Sequence, residues 1–254
     1  MTRTEGTLLG GKLRYAQFAQ GYRTALEPVL LAASIPAKPG DRVLEGGTGA
    51  GAGLLCLAAR VPIAGVGVEQ DEALAALARD NLAANGLRET LSVVAGDITD
   101  ATACTGCDGP FDHAFANPPW HDAASTPSPE PGRKAAKQAS PGLLHAWAEA
   151  MGGRLRAGGT LSLIVPAAGV MQASAALSAA GCPCELLYPL WPKAGRAAKL
   201  VIVRGVRRAN VRCDVQPGLI LHSEDGKFTP EAEAILRQGA RLEHSSRDAL
   251  ERGL

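Results

Sequence analysis

The chain has 254 residues, of which 46% are hydrophobic and 20% are charged, and its 26 basic and 25 acidic side chains leave a formal net charge of +1. It has no apolar run near the roughly 20 residues of a membrane span, so we expect a soluble globular protein, and the composition excludes a disordered or fibrous chain. Because the net charge is close to zero, it does not by itself indicate a polyanionic partner.

The cysteines favour a reducing compartment over a disulfide scaffold. A chain of this length needs no disulfides for stability, and the N-terminus lacks the apolar region of a signal peptide, so we predict a cytoplasmic protein. Cys104 and Cys107 form a Cys-x-x-Cys pair, but Cys182 and Cys184 have the wrong spacing to complete a zinc site. No metal is therefore expected.

From residue 41 onward, short β-branched runs alternate with Ala/Leu-rich stretches of helical period. This alternation predicts an α/β fold with a mostly parallel, seven-stranded sheet and helices on both faces. The predicted strands are 42–45, 63–69, 91–95, 111–116, 161–165, 185–190 and 199–205, and the predicted helices are 51–60, 71–85, 141–155 and 170–180. Gly86 is expected to cap the second of these helices, and a turn is expected at Gly158-Gly159.

Three segments are predicted along the chain. Residues 1–35 form an N-terminal cap segment, with a helix that starts at Glu27 and carries Pro28 in its first turn. Residues 36–210 form the main domain, in which the proline-rich stretch 121–140 is predicted to be a long loop. Residues 211–254 form a C-terminal extension with a helix opened by Thr229 and Pro230.

A glycine-rich loop follows the first predicted strand and reads Glu45-Gly46-Gly47-Thr48-Gly49-Ala50-Gly51. Glycines there let a backbone approach a ligand closely and turn into the next helix. Glu69 ends the second strand, where a carboxylate can accept both hydroxyls of a ribose, and Asp97 and Ile98 follow the third, where they suit the amine and ring of an adenine. The pattern predicts a nucleoside cofactor, with Glu45 placed to meet a charged amino group; a nicotinamide cofactor is a second interpretation.

Asn117-Pro118-Pro119-Trp120 follows the fourth predicted strand. The two prolines fix two successive φ angles, so the Asn117 side chain and the Pro118 carbonyl form a preset pair of acceptors. A planar amine could be held by this pair while its ring stacks on Trp120. The tetrapeptide therefore indicates chemistry on an adenine, guanine or glutamine amine that needs no ionised base.

Basic side chains cluster in three parts of the sequence. The segment between Trp191 and Arg212 has seven and no acidic residue, namely Lys193, Arg196, Lys199, Arg204, Arg207, Arg208 and Arg212. The other two clusters are Arg133, Lys134 and Lys137, and Lys12, Arg14 and Arg23. If the three converge beside Asn117 they form a phosphate-binding rim for RNA; the alternative is a solvated surface.

Two motifs resemble those of known methyltransferases. Glu-x-Gly-x-Gly-x-Gly is similar to the first motif of the S-adenosylmethionine-dependent enzymes, and Asn117 to Trp120 is similar to the Asn-Pro-Pro-(Tyr/Phe/Trp) motif of those that methylate amino groups. Further segments, over about residues 4–239, resemble the bacterial adenine-N6 methyltransferases that act on valine tRNA. These segments are Gly10-Gly11-Lys12-Leu13, Gly21-Tyr22-Arg23, Thr126-Pro127-Ser128-Pro129, Pro189 to Arg196, and Leu221 to Thr229.

The resemblance implies a class I methyltransferase with a Rossmann-like sheet, S-adenosylmethionine as cofactor, and tRNA or another structured RNA as partner. The implied catalytic residues are Asn117, Pro118, Pro119 and Trp120. The implied cofactor contacts are Glu45, Gly47, Thr48, Gly49, Gly51, Glu69, Gln70, Asp97, Ile98 and Asn117. This sequence departs from the family at Glu45 where Asp is commoner, at Trp120 where Tyr is expected, and at Glu27-Pro28 where an Asp and a small residue usually stand.

The sequence thus predicts methylation of the N6 amine of an adenosine in tRNA. A protein glutamine N5-methyltransferase, an rRNA guanine-N2 methyltransferase and a small-molecule amine methyltransferase are alternatives on the same motif. An RNA-binding protein that keeps the fold without activity is a fourth. No membrane partner is expected, and both a monomer and a homodimer are left open.

Overall fold

A mostly parallel β-sheet with helices on both faces forms the centre of the structure. The computed structural model describes residues 2–21, 23–100, 106–120 and 142–243. In chain order the elements are β1 (Arg3–Leu8), β2 (Leu13–Phe18), α1 (Glu27–Ser34), β3 (Arg42–Gly46), α2 (Ala52–Ala58), β4 (Ala64–Glu69), α3 (Glu72–Ala84), β5 (Leu91–Ala95), β6 (Phe111–Ala116), α4 (Leu143–Gly153), β7 (Leu155–Pro166), α5 (Val170–Ala179), β8 (Cys184–Trp191), β9 (Leu200–Val206), β10 (Asp214–Val215), β11 (Leu219–Ile220) and α6 (Pro230–Glu233). Short helical turns lie at Leu9–Gly11, Ala167–Gly169 and Ala234–Gln238.

The strand order in the sheet is β10-β8-β9-β7-β6-β3-β4-β5, with β11 beside β8. Strands β3 to β7 are parallel, while β9 runs antiparallel to both β7 and β8. Seven long strands with helices on both faces confirm the predicted architecture, and the two-residue strands β10 and β11 extend the sheet beside β8. Strands β1 and β2 form an antiparallel hairpin of their own.

Alternating side chains of the strands face two apolar layers. On β6, Phe115 packs in the layer that contains α1, α2 and α3, while its neighbour Ala114 packs in the layer that contains α4 and α5. Leu54 and Leu77 in the first layer and Met151 in the second are 0% exposed. The sheet is therefore buried on both faces, which leaves its edges for a ligand. Over the residues described, no helix has both the length and the apolarity to cross a membrane.

The ends of the helices follow the predicted signals. Pro28 stands in the first turn of α1, and Gly86 follows α3 with a φ of 70°. The Thr229 hydroxyl accepts the N–H of Ala232 at 3.2 Å and so caps α6. Pro28 lacks an N–H that would have no partner in the first turn, Gly86 allows a left-handed backbone, and Thr229 offers a side-chain acceptor.

The N-terminal segment, predicted to be a cap, shares its core with the main domain. Leu13 of the hairpin and Leu30 of α1 lie in the same apolar layer as α2 and α3. The Asn81 side chain of α3 also holds the hairpin, because it accepts the N–H of Ala16 at 2.8 Å and donates to the carbonyl of Ala16 at 2.9 Å. An apolar helix such as α1 cannot stand apart in water and is covered by the neighbouring helices.

The turn predicted at Gly158-Gly159 lies inside β7 instead. The pairing of β7 with β6 shifts in register between Phe111 and His113, so β7 bulges at the glycine pair, where Gly158 has a φ of 74°. The N–H of Gly158 donates to the carbonyl of Arg207 at 2.9 Å, and the N–H of Arg207 donates to the carbonyl of Gly159 at 2.8 Å. The glycine pair therefore forms a β-bulge within β7 rather than a turn between two elements.

Three loops meet at the carboxyl edge of the sheet. The register places Gly46 of β3 opposite Val68 of β4 and Ala116 of β6, and Glu69 and Asn117 follow those two residues directly. Neighbouring strands lie about 4.8 Å apart, so the glycine loop after β3 begins between Glu69 and Asn117. Strand order reverses here, which is where open α/β sheets bind ligands.

Candidate active site

The glycine loop between β3 and α2 has a left-handed backbone at three positions. Gly47, Gly49 and Gly51 have φ values of 63°, 56° and 87°. A Cβ added at Gly49 would meet no atom within 4 Å, so that side of the loop is open to a ligand. A Cβ added at Gly51 would lie 3.4 Å from the Cβ of Ala78, so Gly51 allows α3 to pack against the loop. Close approach to a ligand stays a prediction for Gly47 and Gly49.

Glu69 connects the glycine loop to the end of β4. Its Oε2 accepts the N–H of Gly49 at 2.8 Å, and its Oε1 accepts the N–H of Asp71 at 3.0 Å. Burial raises the pKa of the Glu69 carboxyl, and the charge of Asp71 adds to the rise, while these two backbone hydrogen bonds oppose it. Each oxygen keeps a second lone pair, so the carboxylate can still accept hydroxyl groups.

Glu45 is buried beneath the glycine loop and supports it. The residue is 5% exposed, and its Oε2 accepts the Thr48 hydroxyl at 2.5 Å and the N–H of Leu54 at 3.1 Å. Burial raises the pKa of the Glu45 carboxyl to about 8, so the group is mostly neutral at pH 7. Burial outweighs the hydrogen bonds from Thr48 and Leu54, which favour the charged form, and the cofactor contacts of Glu45 and Thr48 stay predictions.

The other predicted adenosine contacts lie at the ends of β4 and β5. Asp97 is half-buried, and its Oδ1 accepts the N–H and the hydroxyl of Thr99 at 2.8 and 2.7 Å. Gln70 is exposed. Ile98 is only 2% exposed and lies beside Gly46 in the apolar layer, and its contact with an adenine ring stays a prediction.

The four residues of the Asn117 motif lie next to the glycine loop. Ala116 pairs with Gly46, so the motif starts beside Gly47. Pro118 is buried, and the other three residues of the motif are half-buried. A chain that leaves a strand through two prolines has its direction fixed, and the presentation of the Asn117 and Pro118 oxygens to a substrate stays a prediction.

Trp147 is a residue of the site that the sequence reasoning missed. It lies on α4, and a Cβ added at Gly47 would stand 2.7 Å from its Cη2. Met151, one turn further along α4, would lie 2.9 Å from a Cβ at Gly46. The packing of α4 therefore favours glycine at these two positions, and a Trp in an Ala-rich helix was the available signal.

Three of the predicted RNA-binding cations do lie at the carboxyl edge. Lys193, Arg196 and Lys199 are in the loop between β8 and β9, and with His222 they line a cleft of about 500 Å³. Leu200, which follows this loop, pairs with Pro166 at the carboxyl end of β7. Arg196 and Lys199 are exposed, so their charges are presented to solvent.

The rest of this basic segment does not converge on the site. Strand β9 runs antiparallel to β7 and is seven residues long, so Arg207 and Arg208 lie at the opposite edge, about 20 Å away at 3.3 Å per residue. Arg204 is 9% exposed and forms an ion pair with Glu185 at 2.9 Å. The predicted single rim is therefore wrong for these three arginines, because an antiparallel strand separates residues that are close in sequence.

The N-terminal cations are distributed along the hairpin and beyond it. The Lys12 ammonium donates to the carbonyl of Gln238 at 2.6 Å, and the backbone of Arg14 pairs with the Asn85 side chain that ends α3. Arg23 is exposed. The remaining predictions, for Arg133, Lys134, Lys137, Cys104, Tyr22 and the loop 121–140, lie outside the described residues.

The groups at this edge fit S-adenosylmethionine. A partly buried carboxylate at Glu69 matches the ribose hydroxyls, and the second carboxylate oxygen of Asp97 matches an exocyclic amine. The open backbone at Gly49 leaves room for the rest of the cofactor. Acceptors of this kind suit a nucleoside that carries a positive charge.

Comparison with known proteins places the chain in a family. The sequence model of the methyltransferase small domain matches residues 27–168, a range that contains the glycine loop and the Asn117 motif. The tRNA1(Val) (adenine(37)-N6)-methyltransferase of Shewanella amazonensis is 31% identical over 153 residues, which are 59% of this chain and 63% of that relative. The chain therefore spans less than two thirds of the length of this curated relative.

Solved structures share the fold at low sequence identity. A predicted O-methyltransferase from Agrobacterium tumefaciens has a TM-score of 0.69 and 23% identity, over 86% of this chain and 99% of that one. The 16S rRNA N2 G1207 methyltransferase of T. thermophilus, solved with AdoMet and guanosine, has a TM-score of 0.56 and 21% identity, over 82% of this chain and 50% of that one. With a family match over more than half of its length, the chain belongs to the methyltransferase small domain family, and its cofactor is S-adenosylmethionine.

Proposed function

We propose that this chain methylates the N6 amine of an adenosine in tRNA. The observation that carries the proposal is the position of Asn117-Pro118-Pro119-Trp120 directly beside the glycine loop, where β3 and β6 pair. Two preset acceptors and an aromatic ring thus stand next to the groups that fit the cofactor. The Shewanella amazonensis relative is named for the same reaction.

Catalysis by these residues is mainly positioning. The Asn117 side-chain oxygen and the Pro118 carbonyl accept the two N–H groups of the amine, and Trp120 stacks on the base. When bound, S-adenosylmethionine supplies an electrophilic methyl group on a positively charged sulfonium. Positive charge that develops on the amine nitrogen is stabilised by the same two oxygens, and the proton leaves to water. This account requires no ionised base at the site.

The cofactor is held by the ends of β3, β4 and β5 in this proposal. Glu69 accepts the ribose hydroxyls while it keeps its hydrogen bond to Gly49, and Asp97 accepts the adenine amine. The backbone of Gly47 and Gly49 passes next to the remainder of the cofactor. Glu45 acts only through the loop, because its carboxyl is buried under Thr48 and Leu54.

The RNA is proposed to approach along the carboxyl edge. The acceptors of Asn117 and Pro118 are half-buried or buried, so a base must be unpaired or flipped out of a helix to reach them. Lys193, Arg196 and Lys199 stand at the same edge and would contact the phosphates on either side of that base. The proposal therefore favours an adenosine in a tRNA loop.

The proposal is tested by offering three acceptors to the purified protein with tritiated S-adenosylmethionine. The acceptors are bulk tRNA, 16S rRNA and a glutamine-containing peptide, each from a source that lacks this enzyme. We expect tritium in the tRNA alone. Label in the peptide or in rRNA would move the substrate to a glutamine or to an rRNA base, and no transfer to any acceptor would favour an RNA-binding protein without activity.

A further inference from the structure

Gly169 and Trp120 are in direct contact beside the proposed base site. Gly169 ends the helical turn that follows β7, and Trp120 ends the Asn117 motif. A Cβ added at Gly169 would overlap Cζ2 and Cη2 of Trp120 and would lie 2.9 Å from Cε2. The six-membered ring of the indole therefore occupies the space that a side chain at position 169 would need.

The backbone gives no reason for a glycine at this position. Gly169 has a φ of −91° and a ψ of −3°, which other residues also adopt. Among the described residues, the three atoms nearest to an added Cβ all belong to the indole. Gly153, at the end of α4, offers a matched control, because it lacks a positive φ and an added Cβ would meet no atom within 4 Å.

We propose that Gly169 is a positioning residue that sets the orientation of the Trp120 indole, and with it the plane in which the substrate base stacks. The inference rests on the proposed function, since Trp120 is the stacking platform of that proposal. Trp120 is half-buried, and its six-membered ring packs against Gly169 in the helical turn that follows β7. The effect of a side chain at position 169 therefore depends on the size of the aromatic ring at position 120.

The size of the effect follows from the overlap. Carbon atoms in contact stand about 3.5–4.0 Å apart, so an alanine at 169 displaces the indole by roughly 1 Å or more. A misplacement of this size in a catalytic site costs up to about 100-fold. We expect Gly169→Ala to lower kcat/KM for tRNA by about 10- to 100-fold and to leave the Kd for S-adenosylmethionine within about twofold, as in Gly153→Ala.

The decisive comparison introduces the same change beside a smaller ring. Trp120→Phe removes the atoms that overlap and keeps an aromatic face, so Gly169→Ala made in the Trp120→Phe background should cost less than about threefold. The fluorescence of Trp120, taken as the difference between matched variants with and without Trp120→Phe, should change on Gly169→Ala in the free protein. Thermal unfolding of each variant reports whether it folds.

The outcomes separate this inference from the proposed function. If the unaltered protein methylates tRNA but Gly169→Ala is equally active, or loses as much activity beside Trp120→Phe as beside Trp120, the inference is wrong and the proposed function stands. If the unaltered protein methylates no RNA, the proposed function fails. The fluorescence comparison still decides whether Gly169 sets the indole.

Discussion

Replacing Glu45 by glutamine should flatten the pH dependence of stability. Burial raises the pKa of the Glu45 carboxyl from 4.5 to about 8, so between these values the folded protein keeps a proton that the unfolded chain has lost. Stability from this group is complete below pH 4.5 and is lost as pH rises towards 8, by about 1.4 kcal/mol per pH unit. Glu45→Gln keeps an acceptor for Thr48 and Leu54 but does not titrate, so this slope disappears.

The assay is urea unfolding, followed by circular dichroism at pH 5.5 and pH 7.5. The difference in unfolding free energy between the unaltered protein and Glu45→Gln should shift by about 3 kcal/mol over these two units, in favour of the variant at the higher pH. Glu224→Gln, at an exposed carboxyl, is the control for loss of a charge. Parallel pH dependences for the unaltered protein and Glu45→Gln would show that Glu45 is ionised in the fold and would refute the reasoning.

Three further predictions concern the cofactor and the RNA. Asn117→Ala should lower the rate of methyl transfer by about 100- to 1,000-fold while the calorimetric Kd for S-adenosylmethionine stays within about threefold, and an equal loss of both would contradict its role as an acceptor of the amine. Glu69→Ala should weaken cofactor binding by about 10- to 100-fold because the ribose hydroxyls and the Gly49 N–H lose their acceptor, and unchanged calorimetry would place the ribose elsewhere. Lys199→Glu should weaken tRNA binding and reduce the slope of log K against log salt by about 1 to 2, whereas Arg208→Glu at the opposite edge should change neither; the reverse result would move the RNA surface to that edge.

The order of the elements and the place of the site could be predicted from the sequence. Predicted strands that alternate with predicted helices indicate a parallel sheet, and parallel strands bring their carboxyl ends to one edge. Glu69 and Asn117 follow the two strands that flank β3, so their positions on either side of the glycine loop required no side-chain detail. These parts of the account depend on the backbone pattern alone.

The direction of individual side chains could not be read in this way. Glu45 ends its strand just as Glu69 does, yet it turns inward because Thr48 and Leu54 offer it partners beneath the loop. Trp147 reads as a core residue of a helix, and only packing places it against Gly47. Both outcomes depend on which atoms the folded chain brings within reach.

Charge clustering along the chain was a poor guide for a related reason. Lys199 and Arg207 are close in sequence, but β9 carries the chain from one edge of the sheet to the other between them. Residues that are close in sequence stay close in space within a short helix or loop, whereas a strand that spans the sheet places them at opposite edges. The predicted strand 199–205 already separates Lys199 from Arg207, and applying it to the charges would have divided the two groups.

The central claim is methyl transfer to an adenosine amine in tRNA. It is tested most directly with S-adenosylmethionine that carries a heavy methyl group, total RNA from cells that lack this gene, and mass spectrometry of the digested nucleosides. Heavy N6-methyladenosine is expected in the tRNA fraction, and it should be absent from an Asn117→Ala reaction. Heavy N2-methylguanosine, or no heavy nucleoside in any RNA fraction, would contradict the central claim.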